Sequence, residues 1–193
     1  MLKQEDICHD IMFEYYCIFQ MKGIPNKMNN TPTRYNPVMV VLHWLTVVLI
    51  LGAGLFSEGG GSSPINIHMI LGAVLAVTLV IRLIVRLITK RPAWADTGNQ
   101  LLNKLGELVH MGLYFFAFYV LVVGGLIASQ RNLIGYVLGT GAVSRDKGQL
   151  LGILHQLGWS AVVGLLFLHV GGALYHQFIV KDNLLARMWF GKS

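Results

Sequence analysis

Four long apolar stretches, separated by short polar segments, dominate the pattern of the chain. They run about Val38 to Phe56, Ile65 to Ile88, Leu105 to Ser129 and Leu150 to Val180. A helix needs about 20 residues to cross a hydrocarbon core of roughly 30 Å, and each stretch approaches or exceeds that length. A run such as ILGAVLAVTLVIRLIV lacks the alternation of a barrel strand. The pattern therefore predicts an all-α integral membrane protein, a bundle of four transmembrane helices.

Composition supports this prediction and limits the number of domains. Hydrophobic residues make up 54% of the chain and charged residues 12%, which is outside the range of an ordinary soluble domain. With 193 residues and short connections, the chain has no room for a separate soluble domain. We therefore expect an N-terminal extension at residues 1–33, followed by a four-helix membrane domain at residues 34–193.

The extension begins MLKQEDICHDIMFEYYCIFQ, in which acidic residues interrupt the apolar ones. It lacks the continuous apolar run of a signal peptide. We interpret it as a poorly ordered cytoplasmic arm, a short amphipathic helix, or a start-site artefact with Met21 or Met28 as the working initiator. Its two cysteines, Cys8 and Cys17, would stay reduced in the cytoplasm and form no C-x-x-C-H sequence for a c-type haem.

The distribution of basic residues predicts the orientation, because Lys and Arg accumulate in the cytoplasmic connections of membrane proteins. Connection 57–64 has no basic residue, and connection 130–149 has three. The remaining basic residues near the spans lie at the opposite ends of the helices, and they are Lys22, Lys27, Arg34, Arg82, Arg86, Lys90, Arg91, Lys104, Lys181, Arg187 and Lys192. Both termini should therefore face the cytoplasm from a bacterial inner membrane. Anionic lipid headgroups then account for the net charge of +6 without a nucleic acid partner.

Histidines inside the apolar stretches lie at two depths. His68 and His155 both lie roughly 5 to 8 Å below the periplasmic face, whereas His43 and His169 lie towards the cytoplasmic side. On the fourth helix, the 14-residue step from His155 to His169 is about 21 Å of rise and nearly four full turns, so both imidazoles share one helix face. Depth alone leaves two rivals for the cytoplasmic pair, His110 and His176.

A histidine of the fourth helix that faces one from another helix, at each of two depths, is how a helical bundle holds haem iron from both axial sides. A lone histidine could instead hydrogen-bond a neighbouring helix. Glu107 is the only carboxylate within the four stretches, and we expect it to be interfacial and solvated. This scarcity of acidic groups argues against a hard-cation site or a proton antiporter. The pattern predicts two haems, one at each depth.

Small and aromatic residues near these histidines have two interpretations. Glycines there could admit a flat macrocycle or simply allow close helix packing. The aromatic residues could line the haems or form the interfacial belt. The residues concerned are Gly72, Gly158, Gly171, Gly172, Trp44, Trp159 and Tyr175.

Several motifs carry a resemblance to a known family. The stretches are VLHWLTVVL, PINIHMILG, LVHMGLYF, LHQLGWSAVVGLLFLHVGGALYHQF and VKDNLLARM. From about Arg34 to Lys192 the chain resembles the bacterial four-helix di-haem cytochrome b-561 family. The resemblance implies that His43 and His169 ligate the iron of a cytoplasmic-side haem, and His68 and His155 that of a periplasmic-side haem. It places His110 and His176 outside the ligand set.

The resemblance also implies a function, transfer of electrons from a periplasmic donor to a quinone, as in superoxide:ubiquinone oxidoreductases. The donor would be superoxide or a small redox protein, and the acceptor would be ubiquinone or another quinone. With imidazoles at both axial positions, haem iron can only gain and lose an electron. The periplasmic connection carries positive charge on Arg131, Arg145 and Lys147. This charge could attract superoxide, hold haem propionates or simply be solvated.

Reduction of a quinone needs a proton donor, and imidazole can supply a proton near neutral pH. The candidates for this catalytic role are His110, His176, Lys181 and Asp182. Arg82 and Arg86, one helical turn apart, are candidates to hold a haem propionate, although either could contact phospholipid instead.

Two alternatives come from other functional classes. The chain could be the haem b anchor subunit of a larger oxidoreductase, such as a hydrogenase or formate dehydrogenase. It could also be a haem-free transporter or scaffold in which the histidines hold helices together. The first would copurify with a partner protein, and the second would be colourless.

Overall fold

A computed structural model describes residues 33–56, 62–90, 92–93, 95–144 and 148–189, without the side chains of residues 62–66. Its long helices are α1 (Pro37–Leu55), α2 (Ser62–Ile88), α3 (Gln100–Gln130) and α5 (Gln149–Tyr175). A short helix, α4 (Leu133–Val137), lies between α3 and α5. All four long helices are long and apolar enough to cross a membrane, which confirms the predicted fold class. The predicted extension at 1–33 lies almost wholly outside the described residues.

The bundle has two ends, which we name after the parts of the chain that lie there. The terminal end is where α1 and α3 begin and α2 and α5 end, and the loop end is where α1 and α3 end and α2 and α5 begin. Large apolar side chains such as Val48, Leu87 and Phe167 are exposed on the outside. Lipid is the solvent for this surface, so exposure of these side chains carries no hydrophobic cost.

Asparagine side chains cap the N-termini of two of the spans. Asn36 accepts a hydrogen bond from the backbone N–H of Val38 at 2.9 Å, directly before the helix-compatible Pro37. Asn99 does the same for Leu101 at 2.9 Å. The third span therefore begins at Gln100, not at Leu105 as the apolar pattern predicted, because hydropathy does not detect a polar first turn.

A polar turn precedes α3. The side chain of Asn103 and the backbone N–H of Gly98 donate to the Asp96 carboxylate at 2.7 and 2.9 Å. These hydrogen bonds lower the pKa of the Asp96 carboxyl below its usual value. The turn thereby closes on itself next to the N-terminus of α3.

The four long helices form two closely packed pairs. α1 packs along α2, and α3 packs along α5, more extensively than the pairs pack on each other. A core at mid-depth includes a residue from every long helix, with Leu49, Leu79, Ala117 and Val162 all buried. A ligand held between the pairs would therefore join two halves of the bundle.

The fourth span changes geometry at its terminal end. From His176 to Val180 the helix continues as a π-helical turn, closed by a 2.7 Å hydrogen bond from the Lys181 N–H to the His176 carbonyl. Lys181 and Asn183 adopt left-handed backbone conformations, with φ of 60° and 55°. Such turns and conformations cost free energy and occur frequently at functional sites.

The chain then crosses the terminal end of the bundle through a 3-10 helix, Leu184–Met188. The indole N–H of Trp44 donates to the Met188 carbonyl at 2.8 Å, and Arg187 donates to the Ala93 carbonyl at 3.0 Å. We call residues 181–189 the C-terminal strap. It ties α1 and the connection between α2 and α3 to the end of the fourth span.

Candidate functional site

The structure brings four histidines together as two pairs. At the loop end, the ring centres of His68 on α2 and His155 on α5 are 6.1 Å apart. Towards the terminal end, those of His43 on α1 and His169 on α5 are 6.2 Å apart. Each pair joins a helix of the α1–α2 half to α5 of the other half. These are the pairs that the sequence resemblance implied.

The separation within each pair suits a shared metal ion. An imidazole nitrogen binds a transition metal at about 2 Å, and the ring centre lies about 1 Å behind that nitrogen, so two rings on opposite sides of one ion have centres roughly 6 Å apart. Both measured separations match this value. The donor set also fits haem iron, which two imidazoles can ligate axially.

His110 on α3 also reaches the His169 ring, with a distance of 4.7 Å between ring centres. This is shorter than two rings on opposite sides of one metal ion allow. Depth alone could not separate His110 from His43, whereas the ring separations favour His43 as the partner of His169. His110 instead lies beside the pair.

A cavity of about 440 Å³ adjoins the loop-end pair. Its lining is mainly apolar, and it includes His68, His155 and Trp159 together with the small residues Gly72 and Gly124. Pockets for small molecules and cofactors have volumes of roughly 300 to 1,000 Å³ and mostly apolar walls. The residues present therefore fit a haem here.

The protonation of His68 can be deduced from its hydrogen bond. Its Nδ1 lies 2.9 Å from the Ala53 carbonyl oxygen, which only accepts, so Nδ1 carries the hydrogen. Nε2 then keeps its lone pair for a metal, which is the arrangement found behind most metal-ligating histidines. His155 contributes a buried Nδ1 that has no hydrogen-bond partner within the described residues. An unpartnered buried nitrogen is uncommon and is consistent with a ligand-binding site.

Gly124 lies against the His155 ring, and its lack of a side chain leaves room for that ring. A Cβ at this position would lie 3.1 Å from Cε1 of His155. Gly72, on the same cavity wall, has no neighbouring atom within 4 Å of such a Cβ. Gly158 differs, since its added Cβ would lie 2.7 Å from the Tyr119 ring. Of the two interpretations for these glycines, Gly72 fits ligand access and Gly158 fits helix packing.

Gly124→Ala is expected to reduce haem occupancy at the loop-end site, because the new methyl group pushes the His155 ring from its position. The reduced protein should show a smaller b-type absorption per chain. Gly164→Ala is the matched control, since its added Cβ meets nothing within 4 Å on α5. That variant should keep full occupancy, and equal haem content in the two variants would contradict the role of Gly124.

At the terminal-end pair, an arginine contacts a histidine. The Arg82 guanidinium donates to Nδ1 of His43 at 2.8 Å. Arg82 and Arg86 also lie against the ring of Tyr114, with guanidinium carbons 5.6 and 5.3 Å from the ring centre. Both predicted propionate-binding arginines are thus next to the terminal-end pair.

Aromatic residues surround the histidines at both ends. Trp44 contacts the Trp189 ring of the C-terminal strap, with centres 5.4 Å apart, and lies against His43 at 5.6 Å. Trp159 lines the loop-end cavity and packs against Gly54. Tyr175 is exposed on the outer surface. Trp44 and Trp159 are therefore placed to line the sites, whereas Tyr175 is placed for the interfacial belt.

The predicted proton-donor residues lie in different surroundings. His176 Nδ1 pairs with the Asp182 carboxylate at 2.8 Å across the π-helical turn, and both side chains are mostly buried. Lys181 and Glu107 both have exposed side chains. Arg131 lies near Gly148 at the loop end, whereas Arg145 and Lys147 lie outside the described residues.

Three features of the sites were not predicted from sequence. They are the Ala53 carbonyl behind His68, the space at Gly124 and the position of Tyr114 between the arginines. A carbonyl leaves no sequence signal, and Tyr114 looks like one more aromatic residue in an apolar helix. The Gly124–Gly125 pair was visible inside the third apolar run and could have indicated a close approach.

Four membrane-spanning helices with paired imidazoles between them define a membrane cytochrome of the b type. Residues 34–191 match the family model of prokaryotic cytochrome b561. The chain is also 31% identical over 180 residues to cytochrome b561 homolog 2 of Escherichia coli strain K12, in an alignment that covers 85% of this chain and 95% of that protein. The chain belongs to the prokaryotic cytochrome b561 family.

Family membership confirms the predicted family and its main properties. The protein is a bacterial membrane cytochrome that holds haem b and takes part in electron transfer. This speaks against the haem-free transporter or scaffold.

Proposed function

We propose that the protein holds two b-type haems and carries electrons across the inner membrane between a periplasmic donor and a quinone. The observation that carries this proposal is the pair of matching ring separations, 6.1 Å for His68 and His155 and 6.2 Å for His43 and His169. Haem iron with two imidazole ligands supplies one-electron transfer without an open coordination position.

The two proposed ligand pairs would hold their irons at different levels of the membrane. His155 and His169 differ by 14 residues on one helix, which is about 21 Å of rise in a core of roughly 30 Å. With the terminal end in the cytoplasm, as the basic residues predict, the His68–His155 site lies near the periplasm. The two sites then divide one long electron transfer into shorter steps.

Proteoliposomes that contain a trapped, membrane-impermeant oxidant test transfer across the membrane. An impermeant reductant added outside should reduce the trapped oxidant only when the purified protein is present. His68→Ala should stop this transfer. Continued transfer in that variant at the rate of the unchanged protein would contradict the two-site path.

We propose superoxide as the electron donor, on the basis of the family resemblance and the basic residues of the periplasmic connection. A site with positive potential gathers small anions and speeds their arrival. Stopped-flow mixing of oxidised protein with superoxide, in the presence of a quinone analogue, should show haem reduction faster than spontaneous dismutation. A slower rate would remove superoxide as donor, and copurification of a partner protein would favour the anchor-subunit alternative.

The His176–Asp182 pair is our candidate for proton delivery to the quinone at the cytoplasmic side. His176 lies seven residues beyond His169, which is nearly two full turns and about 10 Å of rise along the same face of the helix. The carboxylate 2.8 Å from Nδ1 orients the ring. When both ring nitrogens of His176 are protonated, Nδ1–H donates to Asp182 and Nε2–H can pass its proton to a reduced quinone oxygen, so that His176 acts as a general acid.

Asp182→Asn is expected to slow quinone reduction by roughly tenfold, a part of the usual contribution of general acid–base catalysis, while haem content stays unchanged. Quinone reduction by pre-reduced protein gives the rate. Asp96→Asn makes the same carboxylate-to-amide change in the connection between α2 and α3, and it should leave the rate unaltered. An unchanged rate for Asp182→Asn would assign proton delivery elsewhere, with His110 and Lys181 as the remaining candidates.

A further inference from the structure

Tyr114 lies on α3 opposite two arginines of α2. Its ring centre is 5.6 Å from the guanidinium carbon of Arg82 and 5.3 Å from that of Arg86. The Tyr114 hydroxyl and the Arg82 Nε are both buried, and neither has a hydrogen-bond partner in the described part of the chain. Buried donors without acceptors are uncommon in folded proteins, and two lie here in one small region.

The charge of this region is also unbalanced. Within the described residues, neither Arg82 nor Arg86 forms a salt bridge with a carboxylate. Glu107 is the only carboxylate in the four spans, and its side chain is exposed. Cations inside a membrane span are costly unless they pair with an anion or reach the interface. A hydroxyl donor and two guanidinium groups are together suited to bind an anion.

The contact between Arg82 and His43 points to the same conclusion. A guanidinium only donates, so His43 accepts through Nδ1, and a neutral ring then carries its hydrogen on Nε2. Ligation of iron through Nε2 requires the opposite tautomer. When His43 binds iron, Arg82 must therefore leave Nδ1 and find another acceptor.

We propose that Arg82, Arg86 and Tyr114 form a three-point clamp for a carboxylate of the terminal-end haem, with the Tyr114 hydroxyl as hydrogen-bond donor. The inference rests on the proposed function, since it requires a haem between His43 and His169. Tyr114 is a positioning residue in this clamp. Charge-assisted hydrogen bonds are short and directional, so these three residues would hold the haem carboxylate in one position.

The clamp also affects the reduction potential of that haem. Positive charge and hydrogen-bond donors near a haem carboxylate stabilise the reduced iron, because they offset negative charge close to the metal. Tyr114→Phe removes the donor and keeps the ring. We expect a lower midpoint potential for the terminal-end haem only, and a larger decrease for Arg86→Gln, with recovery of most of the change in Arg86→Lys.

The test is a redox titration of the full-length haem-loaded protein, monitored by absorption. The transition that remains in His155→Ala identifies the terminal-end haem. Tyr136→Phe, in the short helix α4 near the loop end, is the matched control and should not change the terminal-end transition. With both haems bound, an unchanged terminal-end potential in Tyr114→Phe, or equal shifts of both haems, would overturn the clamp but not the proposed function.

A phospholipid phosphate is the competing anion, and the experiment separates it from the haem carboxylate. If the arginines and Tyr114 held lipid, Tyr114→Phe and Arg86→Gln would lower the phosphorus that copurifies with the protein and leave the potentials unchanged. That result would overturn the clamp. Absence of haem from the unchanged protein would instead defeat the proposed function itself.

Discussion

Replacement of His68 by alanine is expected to reduce the haem content of the purified protein from two per chain to one. The remaining imidazole, His155, offers a single axial ligand, and the loop-end cavity loses the ring held by the Ala53 carbonyl. Loss of one of two axial ligands removes an iron–nitrogen bond and weakens haem binding at that site. His155→Ala should have the same effect, and absorption of the dithionite-reduced protein, with haem quantified per chain, measures it.

Ile67→Ala provides the control for this experiment, since Ile67 precedes His68 and has 36% of its surface exposed. This variant should keep both haems. Full haem content in both His68→Ala and His155→Ala would show that other side chains ligate the loop-end iron. The yield of folded protein in detergent distinguishes a variant that has lost one haem from a variant that has failed to fold and has therefore lost both.

The second large effect separates His43 from His110. His43→Ala should lose the terminal-end haem, because the His43 ring is 6.2 Å from His169, as two axial ligands require. His110→Ala should keep that haem, since a ring 4.7 Å from His169 leaves no room for an iron between them. The two substitutions remove the same side chain at similar depth, so each serves as the control for the other.

Haem content and the absorption spectrum of the reduced protein report both results. A shift of the spectrum in His110→Ala without loss of haem would agree with a position beside the pair. The reverse outcome, loss of haem in His110→Ala and retention in His43→Ala, would exchange the two assignments. It would leave the His68–His155 site unaffected.

Much of the fold could be predicted because lipid exposure leaves a strong signal. Val48, Leu87 and Phe167 face outwards and belong to runs that are apolar on every side, so periodicity was not needed to find the spans. The polar first turn of α3 was missed for the same reason, since Asn99 and Gln100 contribute nothing to an apolar run.

The sites were predictable only in part. Rise per residue gives the depth of a histidine, and this was enough to place His68 and His155 at one level. Depth does not give the distance across the bundle, so depth alone left His110 as a rival of His43. The family resemblance placed His110 outside the ligand set, and the ring separations from His169 agree with that choice. Contacts such as Tyr114 with Arg86 depend on how α2 and α3 pack against each other, which no local pattern in one helix encodes.

The division of the bundle into an α1–α2 half and an α3–α5 half has a consequence for biosynthesis. Each half can assemble during translation, whereas both proposed ligand pairs need a helix from each half. Porphyrin supply would then control the last step of assembly, because a ligand that binds only the native state stabilises it by mass action. In cells starved of iron, the newly made polypeptide should remain as two loosely joined helix pairs and be degraded by membrane proteases.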